Sequence, residues 1–76
     1  MVSAFVMVKT ATGEVEAVTD RIDEMAAVTE THVVAGDFDV IVEVETAEMY
    51  EVMETVASAI HDIAGVEETK TYVSMG

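Results

Sequence analysis

One stretch constrains the fold more than any other: Val33-Val34-Ala35-Gly36-Asp37-Phe38-Asp39-Val40-Ile41-Val42-Glu43-Val44. Two runs rich in Val and Ile flank a very short acidic turn, Gly36 to Asp39, which is the pattern of a β-hairpin. Gly36 offers backbone freedom, and Asp37 and Asp39 can close the turn on nearby backbone N–H groups. A hairpin tip with exposed carboxylates and free backbone donors suits a small polar ligand. It equally suits a plain turn.

The rest of the chain places this hairpin in a larger order. Val2 to Lys9 alternates, with Ala4, Val6 and Val8 on one face and Phe5 and Met7 on the other, so a strand apolar on both faces is expected. Thr12 is the expected N-cap of a helix from Glu14 to about Ala27, with Glu14 and Glu16 favoured by the dipole in its first turn. Val15, Val18, Ile22 and Met25 form its apolar stripe. Strand character returns from Thr29 to Ala35. After the hairpin turn a strand runs from Val40 to about Glu45, with Val40, Val42 and Val44 opposite Glu43 and Glu45. Thr46 is the expected cap of a second helix, Ala47 to about Ala64, whose stripe is Met49, Val52, Met53, Val56, Ile60 and Ile63. Gly65 ends it as a C′ glycine, and Val66 to Met75 is the last strand, with Glu67, Thr69, Thr71 and Val73 on one face.

The order β-α-β-β-α-β is the ferredoxin-like split βαβ arrangement, an α+β fold. Right-handed crossovers put both helices on one face of a four-stranded antiparallel sheet. The other face, carrying either Phe5 and Met7 or the Ala4-Val6-Val8 set, then lacks cover within one chain, which argues for a second subunit.

Composition agrees. With 76 residues, one domain (1–76) is expected, and a chain this short buries only about 60% of its unfolded surface. Domains of this size usually need disulfides, a metal or self-association. Cys is absent, and the two histidines, His32 and His61, make a poor metal set, so no metal and no cofactor is expected. Self-association remains, in keeping with 51% hydrophobic residues and a mean hydropathy of +0.37. Sixteen acidic residues against three basic give a net charge of −13. Such a surface repels nucleic acid and anionic membranes, so no direct nucleic-acid or membrane partner is expected. The shortage of Lys points to a salt-rich cytoplasm, where screening relieves self-repulsion. Nothing resembles a targeting segment or a membrane span, and a cytoplasmic location is expected.

Two local patterns narrow the reading. Ala35-Gly36-Asp37-Phe38-Asp39 followed by Val40-Ile41-Val42-Glu43-Val44 resembles the Gly-acidic/polar-aromatic-Asp turn and following strand of the RAM domain, the effector domain of the Lrp/AsnC regulators. Ala64-Gly65-Val66-Glu67-Glu68-Thr69-Lys70-Thr71-Tyr72-Val73 is similar to that family's last helix turn, Gly-Val step and closing Thr-x-Thr strand. The resemblance covers nearly the whole chain. It implies a dimeric α+β barrel, homodimers packed sheet to sheet and often assembled into rings of dimers, with amino-acid effectors bound where dimers meet. It also implies roles. The Gly36, Asp37, Phe38 and Asp39 turn would offer backbone groups and a carboxylate, Asp37 or Asp39 would pair with an α-ammonium, and Thr69 and Thr71 would bond the carboxylate or side chain. Full regulators carry a helix-turn-helix domain first; here nothing basic precedes the first strand, so a stand-alone module without a DNA-binding domain is expected.

That module would bind an amino acid, assemble, and modulate transcription of amino-acid metabolism without touching DNA, by pairing with a full-length Lrp/AsnC regulator. Two other readings stay open: a small enzyme of the dimeric α+β barrel type, for which His32 and Tyr72 are the candidate groups, and a purely structural oligomer. Asp37 and Asp39 are turn formers in their own right. Thr69 and Thr71 are good strand residues. His61 suits the end of a helix dipole, Met49 and Met53 suit a core, and Glu43 and Glu45 suit a solvated or inter-subunit edge. No catalytic residue is assigned.

Overall fold

Strict alternation in the first strand decides which side of the sheet becomes the interior. In the computed structural model, which describes residues 1–75, β1 (Val2–Thr10) buries Ala4, Val6, Val8 and Thr10 and exposes Phe5 and Lys9. It is followed by α1 (Val15–Asp23), β2 (Val28–Val33), β3 (Val40–Thr46), a π-helical segment Glu51–Val56 that runs directly into α2 (Ala57–His61), and β4 (Val66–Val73). The strands form one antiparallel sheet in the order β2-β3-β1-β4. Val6 pairs with Val42 on one side and with Thr71 on the other. This is the ferredoxin-like architecture expected from the element order.

The core lies between one sheet face and the helices. Ala4, Val6, Val8, Val40, Val42 and Val44 meet Val18 and Ile22 of α1 and Val52, Val56 and Ile60 of the second helical segment. Each Val or Ile buried there is stabilising by about 1.5–3 kcal/mol relative to exposure. The opposite face, called here the open face, carries Phe5, Met7, Ile41, Lys70 and Tyr72, with no helix over it.

Several local expectations are corrected. Thr12 does not cap α1: Glu14 occupies the N-cap without a side-chain bond. The helix ends at Asp23 rather than near Ala27, because the chain drops to β2 through two tight turns, Met25 N–H to Ile22 O and Val28 N–H to Met25 O. Met25 still packs against the core. Thr46 belongs to β3, and its hydroxyl donates to the Glu48 carbonyl at 2.8 Å instead of accepting from a helix N–H. The second helix is not uniformly α. Its Glu51–Val56 segment has wider i→i+5 turns. Met49 and Met53, expected in the apolar stripe, are instead about half exposed, while Val52, Val56 and Ile60 are buried. Gly65 has the positive φ, +98°, expected of a C′ glycine.

Candidate functional site

The hairpin connection is wider than the four-residue turn expected. β2 ends at Val33 and β3 begins at Val40, and the intervening residues are closed by Val34 N–H donating to Asp39 O at 2.9 Å. Gly36 does not use a left-handed conformation, so its freedom is not what shapes the loop. Nor does Asp39 close its own turn. Its Oδ2 accepts from the Thr10 backbone N–H at 2.8 Å and the Thr10 hydroxyl at 3.2 Å, and its own N–H donates to Val8 O at 2.9 Å. The loop is therefore pinned at its base to β1. Thr10 needs this partner because the β1–β3 ladder ends at the Val8–Val40 pair, leaving the Thr10 N–H without a strand partner on that edge. Asp37 at the tip is exposed. Phe38 is half-buried and lies under the Lys70 ammonium, 5.6 Å from the ring centroid, a cation–π contact.

Thr69 and Thr71 pair with Val8 and Val6, so they sit on the helix-covered face, both half-buried. Asp39 and Thr69 flank Val8 from opposite sides of β1, whereas Phe38 reaches Lys70, whose strand neighbour Met7 faces the open side. Two shallow grooves lie among the described residues: about 300 Å³ lined by Arg21, Glu24, Met25, Ala59 and Ile63, and about 280 Å³ lined by Met1, Ser3, Ser74 and Met75. Neither of these two grooves is lined by the loop or the two threonines.

Sequence reasoning missed a cluster on the open face. His32 Nε2 lies 2.8 Å from Glu43 Oε2, and Glu30 joins them, with one ligating atom of each residue within 4.8 Å of the others. Glu43 and Glu45 drew notice as a pair along one strand. The partner that matters for Glu43 comes instead from the neighbouring strand, through a register that spacing alone does not reveal. Tyr72, the other candidate of the enzyme reading, is paired with Phe5 in the strand register, away from His32.

A family model described as the Lrp/AsnC ligand binding domain matches residues 3–76. The chain belongs to the Lrp/AsnC family. A relative of this Lrp/AsnC chain, an HTH-type transcriptional regulator of Pyrococcus furiosus, is 37% identical over 57 residues, covering 75% of this chain but 38% of that protein. The crystal structure of FFRP-DM1 superposes with a TM-score of 0.92 at 31% identity, covering 99% of this chain and 100% of that one. Escherichia coli AsnC superposes at 0.89 with 14% identity, a likeness of fold alone, over 99% of this chain and 51% of AsnC. The chain thus spans well under two thirds of the full-length regulators it matches. Among the described residues no helix is long and apolar enough to cross a membrane.

Proposed function

We propose that this Lrp/AsnC domain is an amino-acid-binding and assembly module that modulates transcription without contacting DNA itself. The observation that carries the reading is the pinned loop. Asp39 ties its base to β1, while the exposed Asp37 and the Gly36 backbone are held at its tip. A rigid base lowers the ordering cost of ligand capture. Asp37 takes the α-ammonium, with Asp39 Oδ1 as a second acceptor. Thr69 and Thr71 bond the rest of the ligand only if a second copy brings its own threonines near, so the site is completed by assembly. The open face, with Phe5, Met7, Ile41 and Tyr72, is the surface on which a homodimer forms sheet to sheet, and further assembly of dimers into rings joins the sites. The charge of −13 agrees with the absence of DNA contact and with action through a full-length Lrp/AsnC regulator.

Light scattering of the purified chain, with and without the standard amino acids in molar KCl, tests the reading. A mass above one chain that changes with an amino acid supports it. A monomer that no amino acid alters contradicts it.

A further inference from the structure

We propose that Glu30, His32 and Glu43 form a binding site for a divalent transition-metal ion of the zinc class. Val28 pairs with Val44 on the helix-covered face, and an unbroken ladder would set Glu30 opposite Val42 on that same face. The register instead shifts between Val28 and Glu30, placing Glu30 opposite Glu43. Thr29 is the extra residue, and its hydroxyl donates to the Glu43 carbonyl at 3.1 Å. A bulge re-aims the side chains that follow it. Here it moves Glu30 out of the core face and onto the open face, beside His32, which pairs with Ile41.

The result sets two carboxylates directly across a strand pair, which is destabilising for like charges. Among the described residues neither Lys nor Arg pairs with them; Glu43 instead meets the His32 imidazole, Nε2 to Oε2 at 2.8 Å. One imidazole and two carboxylates on adjacent strands make a mixed N/O donor set suited to Zn²⁺, Ni²⁺ or Co²⁺ rather than to Mg²⁺ or Ca²⁺, which prefer oxygen alone. Ligands about 2.0–2.2 Å from a tetrahedral zinc lie about 3.4 Å apart. Atoms now within 4.8 Å of one another reach that spacing by side-chain rotation, which the exposed Glu30 and His32 permit. Three protein ligands leave a coordination position open for water or for a donor from another molecule. β2 is an edge strand, so the trio sits at the margin of the sheet. The site does not depend on the amino-acid reading; in the proposed homodimer it lies at the β2 margin of the face on which the second copy packs.

The test is calorimetric titration of the intact chain with ZnCl₂, repeated with MgCl₂, together with the visible absorption of added Co²⁺. The expected result is saturable zinc binding near one ion per chain. His32→Ala and Glu30→Gln each weaken it by more than about tenfold, the lower bound for losing even an outer-shell partner, while His61→Ala leaves it unchanged. Cobalt should give the strong visible bands of a low-coordinate site. Zinc binding that survives His32→Ala, that is lost in His61→Ala, that magnesium matches, or that never saturates near one ion per chain would overturn the assignment.

Discussion

The Asp39 carboxylate holds Thr10 twice, by its backbone N–H at 2.8 Å and by its hydroxyl at 3.2 Å. This ties the hairpin loop to the irregular end of β1, and Thr10 itself is buried. Removing the acceptor strands a buried donor. Asp39→Ala should cost about 1.5–3 kcal/mol, the range for hydrogen bonds to a charged group, and lower Tm by about 4–8 °C per kcal/mol. Asp37→Ala, at the exposed tip, should leave Tm nearly unchanged. Thermal melts of both variants check this. A ligand-binding defect in Asp37→Ala therefore reports on contact, whereas one in Asp39→Ala also reports on loop order.

Glycines provide a second contrast. Gly65 combines a φ of +98° with a Cβ position 3.1 Å from both Glu14 Cβ and Val18 Cγ2. Gly65→Ala should destabilise by more than about 1 kcal/mol through strain and crowding. At Gly36 the nearest atom to an added Cβ is the Phe38 carbonyl oxygen at 4.0 Å, and φ is not left-handed. Gly36→Ala should be neutral, or stabilising by up to about 1 kcal/mol through the unfolded state. Urea denaturation of the two variants should move the midpoint in opposite directions or in one only.

The π-helical phase makes its own prediction. Ile60 is fully buried and Met53 is 49% exposed. Ile60→Ala should cost about 2–5 kcal/mol, and Met53→Ala about 0.5 kcal/mol or less. Equal and large costs at both positions would mean that the segment buries the full α-helical stripe.

The element order, the buried Val40-Val42-Val44 face and the Gly65 stop were all legible, because period-two and helical spacing report directly on burial. Thr12 and Thr46 misled because each lies before the point where its helix begins. Thr12 sits inside a turn closed by Glu14 N–H donating to Ala11 O, so Glu14 takes the N-cap, and Thr46 remains in β3. Met49 and Met53 fit an α-helical stripe as well as Val52 and Val56 do, and no spacing rule distinguishes a wider turn. The candidate site was half visible. The hairpin loop stood out by composition, but the Asp39–Thr10 link depends on where the β1–β3 ladder ends and the Glu30-His32-Glu43 cluster on a slip of β2 against β3, and registers are set by tertiary pairing.

Charge sets the salt response. Sixteen acidic residues face three basic ones, and at 1 M salt the Debye length falls to about 3 Å. The denaturation midpoint should rise steeply from dilute buffer to molar KCl. A flat response would contradict the expectation, drawn from the shortage of Lys, that the chain works in high salt.

Phe5 and Tyr72 are strand partners on the open face, 41% and 58% exposed. Phe5→Asp should lower the mass seen by light scattering while leaving the far-ultraviolet circular dichroism of the folded chain in place.

The most direct test of the effector-binding account is a thermal-shift screen of the standard amino acids in molar KCl. A ligand that binds only the folded form stabilises it by about 2.7 kcal/mol at a hundredfold excess over Kd, which in a domain this small raises Tm by several degrees. The account predicts one chemically coherent group of hits, weakened in Asp37→Ala. A cooperative melt that no amino acid shifts would contradict it and leave a structural oligomer acting through a protein partner.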